Sequence, residues 1–209
     1  MPLRLRGALR GSPFRARVRN RLHPRPAWIG VPGEAPGARP RPRDRESCRD
    51  CGSSCPAAFA AAIRSFKGLP HRIEYVANHN GTCYYNDSLA TTVDAAVAAI
   101  NSFDEPLLLI AGGASKGADF GALGACIAAS SIHTVLLTGE EAPRIEAAMR
   151  QAGCKTSVLY YRDLAEAVTI ARDTTQSGDV VLLSPACASF DQFSNYAERG
   201  NLFKKLVAD

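Results

Sequence analysis

The chain has 209 residues, a formal net charge of +5, seven cysteines and 46% hydrophobic residues. That length suits one substantial core with at most a small extra segment, and no apolar run approaches the roughly 18 residues that a membrane-spanning helix requires. The charge is unevenly divided, because residues 1–50 hold thirteen arginines, no lysine and four acids (net +9), whereas the remainder holds twelve basic and sixteen acidic side chains (net −4).

Residues 1–55 are rich in Arg, Pro and Gly, with eight of the thirteen prolines before residue 50. Such a segment cannot bury enough apolar surface to offset the entropy of ordering it, so disorder is expected. An arginine-rich arm can bind RNA or acidic lipid, but only Phe14 and Trp28 are interleaved with the arginines and no helical face is present. A solvated tail, or GC-rich DNA translated out of frame, fits this composition better, and nucleic acid is not the expected partner. Cys48, Cys51 and Cys55 have the spacing of half a zinc site, but no fourth ligand is evident. Cys83, Cys126, Cys154 and Cys187 form no disulfide framework. With no signal-peptide core in the first thirty residues, a reducing, cytoplasmic setting is expected.

From Pro56 the pattern changes, and residues 56–209 read as one globular domain. Ala57–Phe66 predicts a short helix ending before Gly68 and Pro70. Arg72–Val76 and Cys83–Asn86 predict a hairpin turned at Asn78-His79-Asn80-Gly81. Alternation follows, with helices over Thr92–Phe103, Asp119–Ser130, Ala142–Ala152, Asp163–Thr174 and Gln192–Val207. Strands are predicted over Pro106–Ile110, Thr134–Leu137, Ser157–Tyr161 and Asp179–Leu183. Short apolar strands alternating with amphipathic helices predict an α/β, Rossmann-like, mostly parallel sheet with helices on both faces. Ligands of such sheets bind beyond the carboxyl ends of the strands, where the unusual motifs fall.

The first motif, Asn86-Asp87-Ser88-Leu89-Ala90-Thr91-Thr92, could simply cap a helix. In Gly112-Gly113-Ala114-Ser115-Lys116-Gly117, glycines permit close backbone approach to a ligand and a lysine can hold an anion. No G-x-x-x-x-G-K-[ST] loop occurs anywhere in the chain. Ser184-Pro185-Ala186-Cys187-Ala188-Ser189-Phe190 invites a nucleophile reading, which needs a neighbouring base. His79 is expected in a turn, and His133 at the sheet edge opposite the loops. The alternative is a helix start whose N–H groups and serine hydroxyl accept an anion.

Phe66-Lys67-Gly68-Leu69-Pro70-His71-Arg72-Ile73-Glu74, then NDSLATT, GGASKGADF and LLSPACASFDQFSNYAERGNLF, occur in this order. Together they resemble the C-terminal domain of the Mur ligases, over Ala57 to the end, and most of all the branch that adds D-glutamate to UDP-N-acetylmuramoyl-L-alanine. The resemblance implies an ATP- and Mg2+-dependent amide ligase of cytoplasmic peptidoglycan synthesis, acting through an acyl phosphate. It implies that Thr91 and Lys116 hold the α-carboxylate of D-glutamate, that Ser189 and the Phe190 backbone take its side-chain carboxylate, and that Tyr196 flanks it. It further implies that His71, Arg72 and Asp87 face the nucleotide.

Two features depart from the family. Leu89 stands where these ligases commonly have lysine, and the UDP-binding and P-loop domains that precede this domain in the family are absent from the sequence. No ligase activity is therefore expected of this polypeptide alone. The competing readings are a related ligase, such as the folylpolyglutamate branch, with another acidic amino acid, or a nucleotide-binding module without catalysis.

Overall fold

The computed structural model describes residues 61, 64–66 and 68–209. Of the predicted first helix, Ala61, Arg64 and Ser65 are described and helical. Phe66 is described but lies past the helical turn, and residues 57–60, 62 and 63 and residues 1–55, with the arginine-rich arm and Cys48, Cys51 and Cys55, lie outside the described residues.

From residue 68 onward six strands and five helices alternate: β1 (Glu74–His79), β2 (Thr82–Asn86), α1 (Val93–Ile100), β3 (Leu107–Gly112), α2 (Gly121–Ala129), β4 (Ile132–Thr138), α3 (Ala142–Gln151), β5 (Ser157–Tyr160), α4 (Leu164–Thr174), β6 (Val180–Leu183) and α5 (Tyr196–Ala208). The strands form one sheet in the order β1-β2-β6-β3-β4-β5. Only β1 runs antiparallel to its neighbour. The central strands are apolar throughout because both faces are covered. Leu107, Leu109, Ala111, Val135, Leu137, Val180 and Leu182 pack on one face with residues of α1, α2 and α3. Leu108, Ile110, Leu136, Val181 and Leu183 pack on the other with α4 and α5. The expected architecture is therefore the observed one.

Element limits differ where local hydrogen bonding competes with pattern. The hairpin turn contracts to Asn80 and Gly81, both at positive φ (52° and 89°), as a two-residue type I′ turn demands. Asn78 and His79 consequently stay in the ladder, opposite Cys83 and Thr82, so His79 is a strand residue rather than a turn residue. The last helix starts at Tyr196, four residues later than its apolar pattern suggested. Asn195 caps it by accepting from Glu198 N at 2.9 Å, while Glu198 accepts from Ser194 N at 2.8 Å. Asp163 and Glu166 close α4 in the same way, with Glu166 N and Arg162 N as donors. Each pairing satisfies two of the free N–H groups at a helix start.

Candidate functional site

Because β2, β3, β4 and β6 point the same way and β1 opposes them, five segments meet at one edge of the sheet: residues 71–73, 87–91, 113–120, 139–141 and 184–190. The first makes a tight entry into β1. His71 and Ile73 both have positive φ (63° and 44°), a conformation that is costly for a β-branched residue. Hydrogen bonds hold it in place: His71 N donates to Glu74 Oε2 (2.9 Å), and Ile73 N to Asp87 Oδ1 (3.2 Å). Leu89 N also donates to the His71 carbonyl (3.0 Å).

Asp87 is fully buried. Ser184 Oγ donates to its Oδ2 at 2.8 Å, and Arg72 Nη1 lies 3.9 Å from its Oδ1. Burial outweighs these favourable contacts and pushes the carboxyl pKa up to about 6. Beside it, the Asn86 side-chain amide donates to His71 Nδ1 (2.9 Å) and Glu74 Oε2 (3.0 Å), and its oxygen accepts from Ser88 N (3.1 Å). Nδ1 accepts from that amide when the ring is neutral with its proton on Nε2. Burial, and next the nearby Lys204 charge, lower the His71 pKa in the same sense, against the pull of Glu74. The three residues expected to face a nucleotide, His71, Arg72 and Asp87, are thus joined in one cluster.

Thr91 and Lys116 line a single cavity of about 290 Å³, together with Asp94, Ala118, Phe120, Glu141 and Cys187. Lys116 is exposed, on a loop fixed from beneath. Gly113 N donates to the Thr138 carbonyl and Ala114 N to the Ala188 carbonyl, each at 3.0 Å. A Cβ on Gly112 would lie 2.1 Å from the Thr138 carbonyl oxygen, and one on Gly113 2.2 Å from that of Ala188. The glycines were expected to admit a ligand to the backbone; what they admit is the backbone of the neighbouring loops. Glu141, also buried, receives both a hydrogen bond from Ser115 Oγ and a two-oxygen contact from Arg144 Nη1 at 2.8 Å.

The remaining expected residues sit apart from that cavity. Ser189 is buried and Phe190 is 71% exposed. They belong to a turn in which Gln192 N and Phe193 N donate to the Ser189 carbonyl (3.1 and 2.8 Å). This turn is separate from α5, so the idea of a serine at a helix N-terminus is corrected. Tyr196, at the start of α5, packs edge-on against His71 with ring centroids 5.9 Å apart. The residue expected beside the amino acid therefore touches the cluster expected beside the nucleotide. Cys187 is buried, and desolvation pushes its thiol pKa up to about 12, which fits a packed thiol and not a nucleophile. His133 lies at the far end of the sheet, 3.5 Å from Asp179.

Sequence reasoning missed two side chains. Arg199 is buried, and its hydrogen bonds go to neutral oxygens: Ser88 Oγ (2.9 Å), Ser88 O (3.0 Å) and Cys187 O (3.4 and 3.5 Å). Desolvation lowers its pKa to about 10. Its signal was periodic, since positions 199, 203 and 207 share the buried face of α5 with Phe203 and Val207. Glu141 gave no such signal, because an acid beside a helix start looks like an ordinary exposed residue.

A model of the family described as "Mur ligase, glutamate ligase domain" matches residues 71–187. The chain belongs to this ligase family. It is 45% identical over 151 residues to the UDP-N-acetylmuramoylalanine–D-glutamate ligase of Symbiobacterium thermophilum, covering 72% of this chain and 33% of that enzyme. With the same-named ligase of Aquifex aeolicus the identity is 44% over 153 residues, covering 73% and 36%. The chain thus spans about a third of the length of the relatives it matches. Among solved structures, the UDP-N-acetylmuramate–alanine ligase of Thermotoga maritima superposes with a TM-score of 0.52 at 14% identity, covering 71% of this chain and 32% of that one. A murein peptide ligase from Psychrobacter arcticus gives 0.50 at 17%, covering 76% and 34%. At these identities the two structures speak to the fold alone. No helix among the described residues is long and apolar enough to cross a membrane, and none of their His, Cys, Asp and Glu side chains form a group of three or more able to hold a metal ion.

Proposed function

We propose that this chain is the amino-acid-handling domain of a cytoplasmic ligase that joins D-glutamate to UDP-N-acetylmuramoyl-L-alanine at the expense of ATP. In that reaction the alanyl carboxylate attacks the γ-phosphorus of ATP, and ADP leaves. The D-glutamate amine then attacks the acyl phosphate, loses a proton, and expels inorganic phosphate. Thr91 and Lys116 hold the α-carboxylate of D-glutamate, and Ser189 with the Phe190 backbone takes the side-chain carboxylate. Tyr196 shields the site, while His71, Arg72 and Asp87 face the nucleotide.

The observation that carries this reading is the shared cavity of Thr91 and Lys116. A hydroxyl and a cation on separate loops suit a carboxylate. Positioning an amine against an acyl phosphate is an effect of orientation, so the domain can matter greatly without a nucleophile of its own. The identity to D-glutamate ligases favours that amino acid over the folylpolyglutamate alternative.

The test is a graft in which residues 68–209 replace the matching third of the Symbiobacterium thermophilum ligase. Phosphate release should require D-glutamate and UDP-N-acetylmuramoyl-L-alanine together, and L-glutamate should not substitute. A graft that folds by circular dichroism yet shows no D-glutamate-dependent turnover would sink the reading. The 209-residue chain alone should release no phosphate.

A further inference from the structure

Beyond the main-chain bonds of Gly113 and Ala114 to Thr138 and Ala188, the loop that carries Lys116 is held from the start of α3 by three residues, Glu140, Glu141 and Arg144. Glu141 N donates to the Gly113 carbonyl at 3.2 Å, and Ser115 N to Glu140 Oε2 at 3.3 Å. Ser115 Oγ donates to Glu141 Oε1 and accepts from Gly117 N at 3.3 Å, so one hydroxyl ties both sides of Lys116 to one carboxylate. Arg144 neutralises that carboxylate through Nη1, while its Nη2 donates to the Ala118 carbonyl at 2.7 Å. The guanidinium also lies 5.5 Å from the Phe120 ring centre, where a cation–π attraction operates.

Glu141 is 1% exposed and lines the cavity. A carboxylate there would repel a dicarboxylate ligand if its charge were unbalanced. Arg144 removes that objection, and the pair then acts as a latch. A lysine on a free glycine-rich loop would surrender considerable conformational entropy on gripping an anion. With the loop already fastened on both sides of Lys116, much of that cost is met before the ligand arrives.

We propose that Glu141, balanced by Arg144 and linked through Ser115, is a positioning residue that presents Lys116 to the substrate carboxylate. The proposal rests on the reading of Lys116 as a carboxylate-binding group, and its test keeps the two separable.

The experiment uses the 209-residue chain with two readouts. Amide hydrogen exchange should quicken about tenfold at Ser115 and Gly117 in Glu141→Gln, the loss of one charge-assisted link, with α2 and β3 unchanged. D-Glutamate affinity, read from the amide shifts of Thr91 and Lys116 in NMR titrations, should weaken about tenfold in Glu141→Gln and more in Lys116→Gln. Unchanged exchange in Glu141→Gln overturns the latch. Binding that Lys116→Gln weakens and Glu141→Gln leaves intact also overturns the latch, while preserving the role of Lys116. Binding indifferent to Lys116→Gln, or absent from the wild-type chain, removes the underlying reading and the latch with it. Should Glu141→Gln fail to fold, Ser115→Ala replaces it, since that change cuts the link and leaves the Glu141–Arg144 pair in place.

Discussion

Arg199 donates from Nε to Ser88 Oγ at 2.9 Å, and that hydroxyl donates onward to the carbonyl of Tyr196 at 2.7 Å, so one buried guanidinium joins α5 to the loop after β2. Its contacts with Cys187 O extend the tie to the loop after β6. Arg199→Met keeps the length of the side chain and removes every donor. The Ser88 and Cys187 carbonyls then lose buried partners, and unfolding stability should fall by about 2–4 kcal/mol. Urea denaturation measures it; a loss below about 0.5 kcal/mol would mean that these oxygens are satisfied without the guanidinium.

Gly200 occupies the same helix face, one residue on. Alanine is normally the better helix former by about 1 kcal/mol. Here its Cβ would lie 2.3 Å from His71 Nδ1 and 3.0 Å from both polar atoms of the Asn86 amide. Overpacking of this kind costs about 1–3 kcal/mol, so Gly200→Ala should lower the melting temperature instead of raising it. It should also move the His71 imidazole resonances. A raised melting temperature would show that His71 is free to swing aside.

Asp87 makes a prediction about pH whose sign follows from the raised pKa. The folded state keeps its proton up to about pH 6, whereas an unfolded aspartate releases it near pH 4. The stabilising contribution is therefore complete below about pH 4 and is lost as pH rises towards 6. A separation of some two units corresponds to about 3 kcal/mol. Asp87→Asn has no such titration, so the stability of wild type relative to the variant should fall by that order between pH 4 and 7. A difference that stays flat across that range would refute the raised value.

Ser189→Ala in the grafted ligase tests the proposed second carboxylate site. Losing a hydrogen bond to a charged group should raise KM for D-glutamate roughly 10- to 100-fold, with KM for ATP nearly unmoved. Equal changes in both would assign Ser189 to the fold, which its burial also permits.

Most of the scaffold was legible in the sequence because its determinants are local. Continuous apolar runs such as Leu107–Ile110 and Val180–Leu183, too short for helices and set between turn residues, read as strands covered on both faces, and Thr92 and Asp163 cap the helices that follow them. The start of α5 was misjudged because Phe193 continues the apolar spacing, while Asn195 and Glu198 decide the boundary by hydrogen bonding. The site was legible as motifs but not as an arrangement. Thr91 and Lys116 meet in one cavity only through the order of the strands, and Tyr196 meets His71 only because α5 crosses back beneath β1 and β2. The spacing of 199, 203 and 207 marks Arg199 as buried but not its partners, which like Ser115 for Glu141 lie far along the chain.

The pressed glycines at the carboxyl edge bear on how such a domain can change. Gly112 faces Thr138 O, Gly113 faces Ala188 O, and a Cβ on Gly139 would come within 2.7 Å of Gly113 Cα. Three loops meet there main chain to main chain, and mutation has no room to place a new functional group among them. Change in what the neighbouring cavity accepts must therefore be written in its walls, at positions such as Thr91 or Lys116. The floor is closed to revision, and that leaves the few side chains above it as the alphabet from which new selectivity can be spelled.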